Sequence, residues 1–503
     1  MTEAGPPPDY DLAIIGGGIN GTGIARDAAG RGLRVLLVEQ NDLASGTSSA
    51  SSKLIHGGLR YLEHGAFGMV RQALAEREVL LRTAPHIIRP LRFVLLPSPR
   101  VRSIWMLRAG LFLYDHLSPR KILPASASVD LAHNAAGAPL RVRDRTALAY
   151  SDCWVDDARL VVLNAVDAAA RGATIRTRTR CTHAERGAVW RLTLESRGKT
   201  EQASASVLVN AAGPWLEAVR DVIDDHAPSR TRLVKGSHVV MRKLYDGDHA
   251  YVLQADDGRI VFMLPFADDF TLIGTTDVDF RGDPATVAPS ADEIAYLCRV
   301  VDASFRAPIG PQDVVWSFAG VRSLYDDGAG SAKDVTRDFH LALDTEGGAP
   351  LLSVYGGKIT TFRVLAEAAL AKLRDVLPPM TSAWTKTATL PGGDFTYAER
   401  DTHVAEARRA WPFLSARQAR RLAGHYGTRI GLVLGDARSA ADLGAYFGED
   451  LSEAEVRYLV AQEWAETADD ILWRRTKLGL RVTAFAAQRL SAFLADVMPP
   501  TGR

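Results

Sequence analysis

The segment Tyr10–Glu39 limits what this chain can fold into more than any other. Tyr10–Ile15 is a short apolar run, the right length for a buried parallel strand. Gly16-Gly17-Gly18-Ile19-Asn20-Gly21 follows and satisfies G-x-G-x-x-G, and a helical stretch then runs from about Asn20 to Arg31 before a second strand, Val35–Glu39. In such a βαβ unit Gly16 permits the tight turn, Gly18 lets the backbone approach a pyrophosphate, and Gly21 lets helix and strand pack closely. The helix N-terminus, around Ile19 and Asn20, offers N–H groups and a partial positive charge to the phosphates. Glu39 lies 18 residues past Gly21 and is followed by Gln40. A carboxylate there can accept hydrogen bonds from both ribose hydroxyls and would repel a 2′-phosphate. The chain therefore opens on a dinucleotide site in a Rossmann-type α/β domain.

The sequence has no second glycine fingerprint for a separate nicotinamide cofactor, which points to FAD, held non-covalently. Asn41–Ser52, with Ser48 and Ser49, is a loop of small hydroxyl residues, and Lys53-Leu54-Ile55-His56-Gly57-Gly58 comes next. Such residues suit a segment threading past a pyrophosphate and a flavin; a plain mobile loop is the alternative. Val207–Val209 runs into Ala211-Ala212-Gly213-Pro214-Trp215, either a second glycine-ended strand at the cofactor or an ordinary turn. Leu351–Tyr355 breaks at Gly356-Gly357, and a helix is expected over Thr360–Val376. The candidate cofactor set is thus Gly16, Gly18, Ile19, Asn20, Gly21, Glu39, Gln40, Ser48, Ser49, His56, Gly57, Gly58, Gly213, Gly357 and Thr360.

A chain of 503 residues is too long for one hydrophobic core. β-type segments alternate with turns from Arg232 to Asp279, suggesting an antiparallel sheet, and after Pro391-Gly392-Gly393 the pattern becomes Arg- and Glu-rich and helical. We expect an oxidoreductase region over 1–390, with cofactor parts near 8–90, 150–235 and 350–380 and substrate parts near 91–149 and 236–349. A helical domain is expected over 391–503. The net charge of +1 gives no global field for nucleic acid. Cys153, Cys181 and Cys298 are far apart and fit no metal-ligand spacing, so reduced thiols and no metal are expected. The acidic, Pro-rich start does not read as a signal peptide, and no apolar run suffices to span a membrane, which suggests a cytoplasmic protein.

Ile14–Gly32, Thr47–His64, Tyr150–Leu160 and Tyr355–Arg363 resemble the FAD-dependent glycerol-3-phosphate dehydrogenases, most of all the bacterial aerobic, respiratory enzyme. The likeness extends through Lys235–His238, Gly274–Asp277, Pro391–Gly393 and Asp469–Lys477. It implies a D-amino-acid-oxidase-like fold: an FAD domain, an antiparallel substrate domain and a C-terminal helical cap. It also implies oxidation of sn-glycerol 3-phosphate to dihydroxyacetone phosphate, transfer of electrons to a membrane quinone, and a homodimer.

A phosphate-bearing substrate needs cations, preferably guanidinium forks. Arg60, Arg322, Arg337, Lys358 and Arg363 lie beside turns or glycines rather than in helical ion-pair registers. The family motifs favour Arg60, Arg322, Lys358 and Arg337 for substrate contact, with Tyr61 beside Arg60. Oxidation of a secondary alcohol also needs a proton acceptor titrating near neutrality, which favours histidine. His238, on the substrate side, is the expected base and His56 a flavin-side residue; Lys358 or the helix opening at Thr360 could stabilise a reduced flavin. A glycerol-3-phosphate oxidase using O₂, an amino-acid oxidase and a non-catalytic FAD-binding redox sensor are the rivals. The excess of cations argues against an amino-acid substrate.

The segment Arg89–Lys121 is strongly basic, with Asp115 its one acid. Ile104, Leu107, Leu111, Tyr114 and Leu117 fall on one helical face, with Trp105 and Phe112 alongside. A cationic amphipathic helix of this kind suits the headgroup interface, so peripheral contact with the inner face of the cytoplasmic membrane is expected. A core-packed helix with a basic solvent side is the alternative.

Overall fold

The computed structural model describes residues 7–97, 102–223, 230–326 and 338–497. Apolar strand runs without alternation must be covered on both sides, and the first sheet obeys this. Tyr10–Ile15 lies between Lys199–Asn210 and Val35–Val38, both parallel to it, and Leu351–Tyr355 lies parallel beyond Lys199–Asn210. Thr174–Arg176 adds a parallel edge beside Val35–Val38, and His340–Asp344 closes the other edge antiparallel to Leu351–Tyr355. Helices Ile19–Gly30, Asp157–Ala170 and Phe362–Lys372 pack on one face through Ile24, Val161 and Leu365. The hairpin strands Arg180–Arg186 and Trp190–Ser196 cover part of the other, around Trp190.

The second sheet is largely antiparallel. Its long strand Thr231–Arg242 pairs with Phe270–Gly274 on one side and Val314–Tyr325 on the other. Ile260–Phe266 and Ala250–Gln254 continue it. Ile88–Leu95 then joins parallel to Ala250–Gln254 and antiparallel to Thr146–Val155. The two-residue strand Leu54–Ile55 pairs with the end of Thr146–Val155. That short strand begins immediately after the hydroxyl-rich loop, so the loop runs from the first sheet to the second.

The C-terminal region is built from helices Arg400–Ala410, Ala416–Tyr426, Glu453–Glu463 and Ala484–Val497 around Leu422, Leu459 and Leu490. Its seam with the first domain is ionic. Asp42 is gripped by Arg475 at 2.8 Å and by Arg474 at 2.5 Å. Arg159 pairs with Glu463, and Arg178 pairs with Asp470 at 2.8 Å. Buried charges persist only when matched in this way.

Two sequence expectations need revision. The charge and apolar spacing of Glu63–Ala84 predicts one amphipathic helix, but it is interrupted: a 3₁₀ turn, Leu59–His64, ends at the left-handed Gly65, and the helix proper is Phe67–Thr83. Arg363 lies in a helical ion-pair register rather than free of one. It sits on helix Phe362–Lys372, clasps Glu76 at 2.6 and 2.7 Å, and pairs with Glu367 one turn on, the very register the sequence reading denied it.

Candidate functional site: a glycine cradle facing a cationic cavity

The strand Tyr10–Ile15 ends at Gly16, whose φ of +119° strains any residue with a side chain. A Cβ there would lie 2.5 Å from the Ala211 carbonyl oxygen, and one on Gly21 would lie 1.9 Å from that of Gly16. The helix Ile19–Gly30 starts at Gly18 with no side-chain cap and no acid in its first turn. Its positive end therefore stays open to an anion. Ser48 Oγ accepts from the Ile19 N–H at 3.0 Å, tying the hydroxyl-rich loop to this helix start. Asn20 Nδ2 donates to the Gly356 carbonyl at 3.1 Å, bringing the end of the parallel strand Leu351–Tyr355 to the same place. The side-chain oxygen of Asn20, Oδ1, is buried without a partner, an acceptor waiting for a donor.

Glu39 does more than the sequence suggested. One carboxylate oxygen accepts from the Gly17 N–H at 2.7 Å and the other from Asn41 N–H at 2.8 Å, so the side chain builds the turn as well as facing it. Burial raises its pKa, and those two N–H donors oppose the shift. Each oxygen keeps a lone pair for a ribose hydroxyl. An open helix start, clash-limited glycines, a ribose-facing carboxylate and an orphaned buried oxygen together fit FAD.

Beyond the cradle lies a cavity of about 840 Å³ bordered by the second sheet, the hydroxyl-rich loop and the segment Gly357–Thr360. Arg60, Tyr61, His56, His238, Arg322, Lys358 and Thr360 line it together. His56 N–H donates to Thr360 Oγ1 at 3.2 Å, clasping the early loop to the opening of the late helix. Lys358 Nζ lies 3.8 Å from the centroid of the Tyr61 ring and 2.9 Å from Met69 Sδ. Arg322 comes from Val314–Tyr325 and pairs with Asp277. Gly236, facing it across the sheet, leaves it room: a Cβ there would lie 2.8 Å from the guanidinium.

His238 is only 2% exposed. Its Nε2 lies 2.9 Å from Ser52 Oγ, and its Nδ1 is buried without a partner. Burial pushes its pKa down to about 3, with Lys53 and Arg322 adding to the shift. Burial also lowers that of His56. Both imidazoles are neutral at physiological pH.

The comparisons agree with this geometry. Residues 11–363 match the model of the FAD dependent oxidoreductases, and 383–501 that of the C-terminal domain of alpha-glycerophosphate oxidase. A glycerol-3-phosphate dehydrogenase of Pseudomonas aeruginosa is 52% identical over 97% of this chain and 96% of its own. The chain belongs to the FAD-dependent glycerol-3-phosphate dehydrogenase family. A D-erythritol 1-phosphate dehydrogenase of Brucella abortus is 49% identical over 95% of this chain and 96% of its own. The crystal structure of glycerol-3-phosphate dehydrogenase from Bacillus halodurans, complexed with FAD, superposes with a TM-score of 0.74 at 26% identity. It covers 97% of this chain and 90% of that one. This member of the family therefore has the D-amino-acid-oxidase-like fold with a helical C-terminal domain.

The expected residues of this family member do not all meet in one place. Arg60, Tyr61, His56, Gly58, His238, Arg322, Gly357, Lys358 and Thr360 meet in the large cavity with Ile19 and Ser48. Gly57 lies just behind the wall, its N–H donating to Tyr114 OH at 2.8 Å. Gln40 is exposed, Ser49 lines a smaller cavity on the far side of the loop, and Gly213 leads into Pro214 and Trp215 of that same wall. Arg337 lies outside the described residues.

Some groups went unnoticed. Tyr114 OH donates to Asp152, which Arg77 also grips at 2.6 Å, a buried relay behind Gly57. Lys53, fully buried, donates to Asp157 at 2.8 Å and to the Ser49 carbonyl at 2.9 Å, fixing the loop from beneath. A lysine within a run of serines was the available signal.

The basic segment differs from expectation. Arg89 and Arg92 lie on a strand, and Arg102 is engaged by Glu63. In helix Ile104–His116 the face read as lipid-directed is the core face, since Leu107, Leu111 and Tyr114 are buried. The outward face carries Trp105, 72% exposed, and Phe112, 62% exposed, with Met106 and Leu113 beside them. Among the described residues no helix is long and apolar enough to cross a membrane.

Proposed function

We propose that this protein oxidises sn-glycerol 3-phosphate to dihydroxyacetone phosphate and passes the electrons to a membrane quinone. The observation carrying this is one cavity in which Arg60, Arg322 and Lys358 converge beside a neutral, buried histidine and open onto the dinucleotide cradle. FAD, when bound, supplies the hydride acceptor. Arg60, Lys358 and Arg322 hold the phosphate, with Arg337 assigned to the same task on the family resemblance. Tyr61 supports Lys358 through its ring face. In the tautomer whose Nε2–H donates to Ser52 Oγ, the unpartnered Nδ1 is the atom assigned to take the C2 hydroxyl proton. A pKa near 3 makes a poor base, yet the shift comes partly from Lys53 and Arg322. A phosphate dianion beside Arg322 offsets that repulsion, so the imidazole gains basicity when substrate arrives.

The quinone and membrane assignments draw support from the cavity mouth. Phe67, Met106 and Leu113 line the cavity and are also exposed, and Trp105 and Phe112 extend the apolar surface outward. An exposed apolar patch at the rim of a redox cavity suits a lipid-dissolved oxidant.

Mixing the flavin-loaded protein anaerobically with glycerol 3-phosphate is expected to bleach the flavin, with glycerol and D-amino acids inert. No bleaching would sink the reading. Adding a soluble quinone to one sample and air to another separates dehydrogenase from oxidase. The Brucella relative motivates a second reading, a tetritol phosphate as substrate. Faster bleaching by D-erythritol 1-phosphate than by glycerol 3-phosphate would favour it.

A further inference from the structure

His238 makes a single side-chain hydrogen bond, and one bond leaves a ring free to turn about it. The plane is fixed by stacking. Phe318 lies against the imidazole with centroids 4.8 Å apart and planes 10° from parallel. Phe318 has no polar handle of its own; Trp316 lies 4.7 Å away at 34°. Trp316 in turn stacks on Trp473 at 4.5 Å and 24°. Trp473 belongs to the C-terminal region, so the ladder crosses the seam between domains.

Glycines close both ends of this ladder. A Cβ on Gly479 would approach Trp473 Cε2 to 2.5 Å, and one on Gly274 would approach His238 Cδ2 to 2.1 Å. The outer ring is fixed in space by its chain neighbours: Arg474 and Arg475 both reach across to Asp42, and Arg475 also donates to the Glu463 carbonyl at 2.6 Å. A second cavity of about 400 Å³ runs along Trp316, Phe318 and Trp473. Lys53 Nζ also lies 5.2 Å from the Phe318 centroid, and the cavity beside the rings gives Trp316 and Phe318 space to swing if Trp473 is lost.

We propose that Trp473 is a positioning residue for His238, holding the imidazole plane through Trp316 and Phe318. The inference rests on His238 being the proton acceptor, and it gives the C-terminal domain a role in the reaction. The charged groups facing His238 are Lys53 from the loop, Arg322 from Val314–Tyr325 and Asp157 from the helix beneath. Trp473 carries no charge of its own, while Phe318, the ring next to His238, meets one of these groups, Lys53, at 5.2 Å.

The test compares Trp473→Ala with Trp473→Phe in the full-length, flavin-loaded protein. Anaerobic flavin bleaching by saturating glycerol 3-phosphate is expected to slow about tenfold in Trp473→Ala, since small misplacements of a reacting group cost this much or more. The concentration of substrate giving half-maximal rate should stay within about twofold, and Trp473→Phe should recover most of the rate. The ¹⁵N imidazole resonances of His238, assigned by His238→Asn, supply a readout independent of turnover. They should shift in Trp473→Ala, with flavin and after its removal, and hold in Trp473→Phe. An unmoved resonance in folded Trp473→Ala overturns the proposal. Should Trp473→Ala fail to fold, Gly479→Ala, which presses on the same ring, carries the same comparison under the same criteria. If His238→Asn bleaches at the normal rate, the base assignment falls, while the resonance still judges the ladder.

Discussion

The glycine cradle and the ionic seam hold this molecule together in opposite ways. The cradle is made of backbone: its determinants are absent side chains at Gly16 and Gly21 and an uncapped helix start, and its stabilising partner is a ligand. The seam is made of side chains from distant parts of the sequence, such as Asp42 with Arg475 and Arg159 with Glu463, fully buried and mutually neutralising. A defect in the first should therefore depend on cofactor concentration, whereas a defect in the second should not.

Arg475→Met tests that contrast hardest. It strips Asp42 of its two-pronged partner and should cost about 3–5 kcal/mol of stability. The urea midpoint should drop with or without added FAD; recovery by FAD would contradict the contrast. Gly21→Ala sets a methyl against the Gly16 carbonyl and should weaken flavin retention by about 1–3 kcal/mol. The colour lost on desalting should return with excess FAD by mass action, and a variant that stays yellow would refute the packing argument.

A smaller effect follows from two buried histidines, His86 beside the seam residue Arg159 and His238 in the cavity beyond the cradle. His86, beside the Gly392 turn, is pushed down to about 3 by burial and Arg159, and His238 to about 3 by burial and Lys53. Both folded values lie below the unfolded value near 6.5, so the unfolded chain binds more protons between those limits. Their stabilisation is complete above pH 6.5 and is lost as pH falls toward 3, by at most about 1.4 kcal/mol per pH unit for each histidine. Melting temperature against pH should flatten by similar amounts in His86→Asn and His238→Asn. An unchanged slope in either would exclude that residue. Least of all in stability, Trp105→Glu with Phe112→Glu should change folding by under about 0.5 kcal/mol. Co-sedimentation with anionic liposomes should nonetheless collapse, and retained binding would remove the membrane from the proposed function.

The sequence was most legible where structure is local. Tyr10–Ile15 and Leu351–Tyr355 fall where apolar runs end in glycine, because a buried parallel strand and its turn are written in consecutive residues. Gly65 falls inside the charge and apolar spacing of a helix, yet its left-handed backbone stops the preceding turn. Helix Ile104–His116 shows a different limit. Periodicity identified Leu107, Leu111 and Tyr114 as one face, but whether that face meets lipid or protein depends on strands far away in sequence. Among site residues, His238 and Arg322 were reachable through motif and chemistry. The pairing of Arg322 with Asp277 and the burial of Lys53 above Asp157 were not, since both depend on register between remote elements.

The bond from Asn20 to the Gly356 carbonyl bears on how the chain is made. The first parallel strand needs Lys199–Asn210 on one flank, and that strand needs Leu351–Tyr355. A ribosome must therefore release more than two-thirds of the polypeptide before this row of parallel strands is complete. Until Lys199–Asn210 emerges, Tyr10–Ile15 keeps an uncovered apolar edge, the kind of surface that nascent-chain chaperones shield. Flavin capture is accordingly a late event in biosynthesis, and truncations ending before Leu351 should emerge colourless and aggregated.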